Sequence, residues 1–289
     1  MYLTPLEESR DLAEALGVER MFLKREDQTP TGSFKYRSAL RQIEDMVEHG
    51  ERAGVVSSSG NAAISLAHEA KAQGVTLFAF VPPNLSSAKT AALLAYDPVV
   101  IQSTRAMRLA NYLAAHYRIR NLRPSIDDRA VLGFVPLGEE LAEQVEEYGG
   151  VDVIVSFCTS GASMLGMCRG YRAEPRPKFF AARNLSVGCY GIEKSPRLAD
   201  VADVAELVDV SDDAVERTQK LLTRAGICVA REAAASLAIV LERQLNGRIL
   251  WIVSGKDWGV GTMNPQAANL YRAETFEDVD RIYAEHARV

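Results

Sequence analysis

The chain has 289 residues, of which 47% are hydrophobic and 25% are charged, and its formal net charge is -5. This composition excludes a disordered or collagen-like chain, and the length predicts about two domains. A weakly acidic surface does not favour a nucleic-acid partner. Because there is no apolar run of roughly 20 residues and no secretory signal pattern, we also expect no membrane partner and a cytoplasmic location.

Short apolar runs alternate with longer amphipathic stretches along most of the chain. The predicted strands are 54–59, 75–82, 98–102, 151–158, 177–182 and 248–255, and the predicted helices are 34–48, 62–73, 86–95, 105–117, 137–148, 212–224 and 232–245. This alternation predicts the α/β class, with parallel sheets flanked by helices. The apolar run at 151–157 is typical of a strand buried on both faces. Segment 120–130 is polar and is a candidate connection between domains.

The cysteines and histidines show no metal-binding pattern. Cysteines lie at positions 158, 168, 189 and 228 without a C-x-x-C pair, and the four histidines are scattered. We therefore predict no metal site and no histidine-based catalytic triad. The cysteines are expected to be small buried hydrophobic residues.

Three predicted strands run directly into clusters of small polar residues, at 57–61, 159–163 and 254–255. In open α/β sheets, ligands bind beyond the carboxyl ends of the strands. A turn of small residues that leads into a helix also presents free N–H groups to an anion. One such cluster is more often a simple helix cap, but three in one chain indicate a polar binding site.

A fourth cluster, at 30–35, ends in Lys35 at the start of a predicted helix. The helix dipole opposes a positive charge in that first turn, so the neutral amine is favoured there. A neutral amine is what Schiff-base chemistry requires. Lys24 is a weaker candidate, because Glu26 and Asp27 follow it and would keep it charged.

A phosphate-binding turn, a candidate imine lysine and serine-rich loops together suggest pyridoxal phosphate as the cofactor. Other ligand classes lack their patterns. The sequence has no G-x-x-x-x-G-K-[ST] or G-x-G-x-x-G for nucleotides, and no G-x-S-x-G for an α/β-hydrolase.

Five stretches, in order along the chain, resemble the fold-type-II pyridoxal-phosphate enzymes, the group of threonine synthase, serine/threonine dehydratases and cysteine synthase. They are T-P-L at 4–6 with LKREDQTPTGSFKYRSAL at 23–40, SSSGNAAISLA at 57–67, TSGASMLG at 159–166, REAAASLAIVLE at 231–242 and LWIVSG at 250–255. The resemblance implies two open twisted sheets with flanking helices and pyridoxal 5'-phosphate in the cleft between domains. It implies a large domain of 1–33 and 136–289, a smaller mobile domain of 34–135, and a homodimer.

The resemblance also implies a role for each matching residue. Lys35 corresponds to the lysine that binds the cofactor, Asn61 to the asparagine on its phenolic oxygen, and Ser254 to the serine at its pyridine nitrogen. The phosphate-loop positions are Thr159, Ser160, Gly161, Ala162 and Ser163. Ser57, Ser58, Ser59 and Asn61 fall where relatives bind the substrate carboxylate, and Ser59 is also a candidate catalytic residue.

A serine rather than a carboxylate at position 254 would not keep a proton on the pyridine nitrogen. That favours loss of a β- or γ-substituent from a small amino acid over transamination. Segment 121–145 and Ala62 are similar to threonine synthase, towards which we lean, with O-phosphohomoserine as its substrate. Ser59 and the 254–255 pair are more similar to serine/threonine dehydratases, so a dehydratase or other β-elimination or β-replacement enzyme stays the alternative.

Two departures from the family pattern favour a third hypothesis, a non-catalytic relative that keeps the fold. The phosphate loop contains one glycine, Gly161, where relatives have two or three, and the stretch between 184 and 210 is shorter than in relatives. Retention of Lys35, Asn61 and Ser254 argues against this hypothesis, because a scaffold role requires none of the three.

Overall fold

The computed structural model describes residues 2–58, 60–184, 186–187, 194–259 and 269–286. The chain divides into two compact units. The first unit comprises Met1–Phe34 and Ala130–Asp257, and the second comprises Lys35–Arg129 and Trp258–Val289.

The helices and strands alternate along the chain as the sequence predicts. In chain order they are β1 (Leu6–Glu8), α1 (Arg10–Leu16), β2 (Arg20–Lys24), α2 (Lys35–Glu48), β3 (Ala53–Ser57), α3 (Asn61–Gln73), β4 (Thr76–Val81), α4 (Ser87–Leu94), β5 (Val99–Gln102), α5 (Ala106–Tyr117), β6 (Arg120–Asn121), α6 (Asp128–Leu132), α7 (Val135–Glu146), β7 (Val153–Phe157), α8 (Ala162–Gly170), β8 (Lys178–Arg183), α9 (Leu198–Val204), β9 (Glu206–Asp209), α10 (Asp212–Arg224), α11 (Arg231–Glu242), β10 (Arg248–Ile252), β11 (Leu270–Arg272) and α12 (Phe276–His286).

The first unit is built on a sheet in the order β1-β2-β10-β7-β8-β9. Its neighbouring strands are parallel, except for β1, which pairs antiparallel with β2. Side chains of the central strands alternate between two apolar clusters: Val155 and Trp251 belong to one, and Ile154 and Leu250 to the other. This alternation confirms that the central strands are buried on both faces, as the apolar run at 151–157 predicts.

The second unit is built on a parallel sheet in the order β11-β5-β4-β3-β6. Val56 and Ala79 face one apolar cluster, and Val55 and Phe80 face another. The α/β class, with two mainly parallel sheets and flanking helices, is therefore confirmed.

Residues 258–289 cluster with the second unit, whereas the sequence placed them with the large domain. The reason is that β11 pairs in parallel with β5, from Leu270 opposite Val100 to Arg272 opposite Gln102. α12 then packs against α5 of the same unit. A three-residue strand carries too little apolar pattern to show which sheet it joins.

Helices α7 and α8 of the first unit pack backbone against backbone. A Cβ atom added to Gly170 of α8 would lie 1.9 Å from the carbonyl oxygen of Val135 in α7, and one added to Gly138 of α7 would lie 2.1 Å from that of Met167 in α8. Glycine at these positions lets α8 approach α7 closely. This contact fixes the position of α8, whose N-terminus carries the predicted phosphate loop.

Within the described segments, no helix is long and apolar enough to cross a membrane. In the same segments, no group of three or more His, Cys, Asp or Glu residues is arranged to hold a metal ion.

Candidate functional site

The loop that follows β7 in the first unit forms the N-terminus of α8. Gly161 caps the helix with φ 86° and ψ -22°, a left-handed conformation that favours glycine, and as a glycine it offers no side-chain oxygen to the helix amides. The first amides of a helix have no acceptor within it, so the N–H groups at this end are available to an anion. Ser160 and Ser163 are both buried, at 7% and 4% exposure.

Two hydrogen bonds to Ser160 fix the conformation of the same loop. The Ser195 hydroxyl donates to the Ser160 carbonyl oxygen at 2.7 Å, and the Ala162 N–H donates to the Ser160 hydroxyl at 3.4 Å. These bonds hold Ser160 in place, while the positive end of the α8 dipole favours a negatively charged group at residues 159–163.

Ser254 lies two residues beyond β10 and is 4% exposed. Because β10 and β7 are neighbouring parallel strands, Ser254 and loop 159–163 lie at the same edge of the sheet. The structure therefore brings the predicted phosphate loop and the predicted pyridine-nitrogen partner together within the first unit.

Phe34, the residue before Lys35, is hydrogen-bonded to that edge of the sheet. The Phe34 N–H donates to the Ser254 carbonyl oxygen at 3.0 Å, and the Lys256 N–H donates to the Gly32 carbonyl oxygen at 2.9 Å. The Ser33 hydroxyl is fully buried and has no hydrogen-bond partner among the described atoms. An unsatisfied buried hydroxyl is rare, and it is consistent with a polar ligand at this edge.

Lys35 is the first residue of α2 in the second unit, and it is half-buried. The Ser38 hydroxyl donates to the Lys35 carbonyl oxygen at 2.9 Å, within the first turn of the helix. Its position in the first turn, as expected from the sequence, places the side-chain amine at the positive end of the helix dipole.

The second polar turn of the second unit joins β3 to α3. The Ser58 N–H donates to the Phe80 carbonyl oxygen at 3.1 Å, and the Gly60 N–H donates to the Ser58 hydroxyl at 3.3 Å. Ser57 ends β3, and Asn61 begins α3, whose cap at Gly60 has no side-chain hydrogen bond. Ser59 lies outside the described residues.

No sequence motif indicated Trp258 as a neighbour of a predicted site residue. Its indole Nε1–H donates to Asn61 Oδ1 at 2.8 Å. The aromatic residue shortly after Ser254 was visible in the sequence, but 197 positions separate it from Asn61, and local patterns carry no information on such a pair.

Lys24 has other partners than Glu26 and Asp27, the acidic residues that follow it in the sequence. Lys24 is fully buried, and its ammonium donates to Glu140, to the Thr4 carbonyl oxygen at 2.7 Å and to Gln144 Oε1 at 2.7 Å. Lys24 thus joins the N-terminal segment to α7, a structural role that leaves Lys35 as the candidate for imine chemistry.

The cysteines differ from expectation at one position. Cys158 and Cys168 are buried, as expected, but Cys228 is exposed, because it lies in the irregular segment between α10 and α11. Burial raises the pKa of the Cys168 thiol to about 12, against the opposing effect of Arg176. Cys189 lies outside the described residues.

These observations define an α/β protein in which helix N-termini suited to an anion follow β3 and β7, and in which Lys35 begins helix α2. The family described as pyridoxal-phosphate dependent enzyme matches residues 2–255. The chain therefore belongs to this family, which confirms the resemblance seen in the sequence and pyridoxal 5'-phosphate as the cofactor.

The curated relatives that this chain matches differ from one another in activity. Serine racemase of Bos taurus is 26% identical over 278 residues, covering 84% of this chain and 82% of the racemase. L-threo-3-hydroxyaspartate ammonia-lyase of Saccharomyces cerevisiae is 27% identical over 197 residues, 66% of this chain and 56% of the lyase. Threonine synthase of Methanosarcina acetivorans is 26% identical over 174 residues, 58% of this chain and 42% of the synthase.

Among solved structures, an O-ureido-L-serine synthase has a TM-score of 0.75 to this chain at 20% identity, covering 91% of this chain and 95% of the synthase. At that identity the likeness shows the fold alone.

The residues present fit the cofactor of the family. The phosphate of pyridoxal phosphate is a dianion, which matches the uncapped N-terminus of α8 and its left-handed Gly161. The buried Ser33 hydroxyl without a partner and the hydroxyl-bearing Ser254 give the same sheet edge a polar character suited to the cofactor's ring substituents.

Proposed function

We propose that this protein is a pyridoxal-phosphate enzyme that catalyses β-elimination or β-replacement on a small amino acid. The observation that carries the proposal is the bond from the Phe34 N–H to the Ser254 carbonyl oxygen. It fixes the residue directly before Lys35 at the sheet edge that also bears the anion-binding loop 159–163.

In this proposal, loop 159–163 would bind the cofactor phosphate through the amides of Gly161 and Ser163, with the hydroxyls of Thr159, Ser160 and Ser163 nearby. The Ala162 amide would be shared with the Ser160 hydroxyl, to which it already donates. Lys35 would hold the cofactor through its side-chain amine. The same amine would accept the proton from the substrate α-carbon. When bound, the cofactor acts as the electron sink for that bond cleavage.

Ser57, Ser58, Ser59 and Asn61 are proposed to bind the substrate carboxylate and to orient the substrate. The N-terminus of α3 supports this role, because its uncapped amides suit a carboxylate as well as a phosphate. Ser59 is proposed as the residue that gives a proton to the leaving hydroxyl, as in dehydratases.

Ser254 is proposed to face the pyridine nitrogen. A neutral hydroxyl donates or accepts one hydrogen bond but, unlike a carboxylate, carries no negative charge to stabilise a proton on that nitrogen. The bound cofactor would then be a weaker electron sink, which would favour loss of a β-substituent over transamination. The racemase and ammonia-lyase among the relatives support a hydroxyl-bearing amino acid as the substrate.

The second candidate is a threonine synthase, with O-phosphohomoserine as the substrate. It is favoured by the similarity of segment 121–145 and by Ala62 after Asn61. A threonine synthase is also among the relatives, although it matches a smaller share of the chain than the racemase does.

The test is borohydride reduction of the holoenzyme followed by peptide mapping. We expect the reduced cofactor on the peptide that contains Lys35, and loss of the imine absorption in Lys35→Ala. The matched control is Lys178→Ala, an exposed lysine at the start of β8, which should keep both signals. A cofactor found on another lysine would refute the assignment.

The substrate class follows from one panel of amino acids. Ammonia and a keto acid from serine or threonine indicate a dehydratase, whereas threonine and phosphate from O-phosphohomoserine indicate a threonine synthase. A spectrum unchanged by every amino acid would favour the non-catalytic relative.

We also propose, from the family resemblance, a cytoplasmic homodimer. Light scattering of the purified holoenzyme should give twice the mass of one chain, and a monomer would contradict the proposal.

A further inference from the structure

The side chain of Asn61 is held by one strong contact within the second unit. The Trp258 indole Nε1–H donates to Asn61 Oδ1 at 2.8 Å, a good distance for a hydrogen bond between uncharged groups. Both side chains are partly buried, and the indole ring packs against the apolar cluster beneath α2 and α3. The donor is therefore fixed by packing as well as by its bond.

This contact determines which way the Asn61 amide faces. An indole nitrogen can only donate a hydrogen bond, so the atom that it meets must be the amide oxygen. The oxygen and the NH2 group are on opposite sides of the amide carbon. The Nδ2 hydrogens of Asn61 must then face away from Trp258, and no described residue accepts a hydrogen bond from them.

We propose that Trp258 is a positioning residue, which orients the Asn61 amide so that Nδ2 donates to the phenolic oxygen of the cofactor. The inference rests on the proposed function, in which Asn61 contacts that oxygen. Without the indole donor, the amide could rotate by half a turn and place its own oxygen against the phenolic oxygen. Two acceptors would then face each other, which disfavours the ionised form of the phenol.

The consequence is a defined change when the donor alone is removed. Trp258→Phe keeps an aromatic ring against the apolar cluster but loses the N–H. One hydrogen bond contributes about two- to tenfold in a binding constant, so we expect cofactor affinity to fall by about that factor. The ratio of visible to near-ultraviolet absorption of the bound cofactor should fall as well, because that ratio follows ionisation of the phenol.

The experiment is a double-mutant cycle on the holoenzyme with Trp258→Phe, Asn61→Ala and the combined variant. Cofactor dissociation constants and absorption spectra are measured for all four proteins. If Trp258 acts through Asn61, the combined variant binds the cofactor no more weakly than Asn61→Ala alone. If the factors by which the two single substitutions weaken cofactor binding multiply in the combined variant, Trp258 acts through packing, and the proposal is overturned.

A second measurement does not depend on the cofactor. In ¹⁵N–¹H spectra, the Trp258 indole signal is identified by its absence in Trp258→Phe. Asn61→Asp keeps an oxygen acceptor and should leave this signal hydrogen-bonded, whereas Asn61→Ala should shift it upfield. Asn61→Asp should nevertheless lose cofactor affinity, since a carboxylate cannot donate. A signal that is the same in all the Asn61 variants overturns the inference.

The outcomes separate this inference from the proposed function. If Lys35→Ala loses the imine absorption but Asn61→Ala binds the cofactor as the wild type does, the enzyme assignment stands and the inference about Trp258 fails. If Lys35→Ala retains the absorption, the proposed function fails, and the inference fails with it.

Discussion

The left-handed backbone at Gly161 gives a quantitative test of the phosphate loop. In Gly161→Ala, the added methyl group opposes φ 86° and costs about 1–2 kcal/mol. Alanine also restricts the unfolded chain, which lowers this cost by about 0.4–1 kcal/mol. We therefore expect a net loss of about 1 kcal/mol in the free energy of unfolding, or about 2–4 °C in melting temperature.

A control with the same strain is available at Gly226, which follows α10 in the same unit. Its φ is 72°, and an added Cβ atom would have no heavy atom within 4 Å. Gly226→Ala should lose about as much stability as Gly161→Ala, but it should leave the cofactor site as it is.

The two variants should differ in cofactor binding. Relief of the strain at Gly161 turns at least one phosphate-binding amide away from its acceptor. A hydrogen bond to a charged group contributes about 1.5–3 kcal/mol, so the dissociation constant for pyridoxal phosphate should rise about ten- to hundredfold.

The assay is a titration of the apoenzyme with pyridoxal phosphate, followed by absorption, with melting curves taken with and without the cofactor. The cofactor should raise the melting temperature of Gly226→Ala as it does for the wild type, and that of Gly161→Ala less. Equal affinity in the two variants would show that loop 159–163 does not hold the phosphate.

Three further predictions concern packing, thiol chemistry and pH. Gly170→Ala places a methyl group 1.9 Å from a backbone oxygen of α7, and it should lower the free energy of unfolding by about 3 kcal/mol or more, measured by urea denaturation. Cys228→Ser should remove one equivalent of rapid reaction with a thiol reagent, whereas Cys168→Ser should not, because burial raises the pKa of the Cys168 thiol to about 12. At Asp45, burial raises the carboxyl pKa, but hydrogen bonds from Arg120 and Arg129 outweigh burial, and the pKa in the folded protein lies below 3.8. Since the folded pKa is depressed, the stabilisation is present above pH 3.8 and is lost as pH falls below it. Asp45→Asn should therefore be about 2 kcal/mol less stable at neutral pH, and the difference should shrink in acid unfolding below pH 3.8; a difference independent of pH would contradict this.

The sequence by itself determined the elements with a strong apolar period. The helix predicted at 212–224 has those bounds in the structure, and the strand predicted at 98–102 is Val99–Gln102. The position of the polar clusters at strand ends was also readable, because strands, turns and helix starts have local residue preferences. Five ordered stretches were enough to indicate the family and its cofactor.

Only the tertiary structure decided the contacts between distant parts of the chain. Leu270–Arg272 joins the second sheet through β5, Lys24 meets Glu140, and Trp258 meets Asn61. Each depends on how separate elements pack, and a short strand or a single side chain leaves no periodic signal in the sequence. Local residue preferences could therefore place Asn61 at the start of a helix, but the direction of its amide is set by a donor 197 positions away.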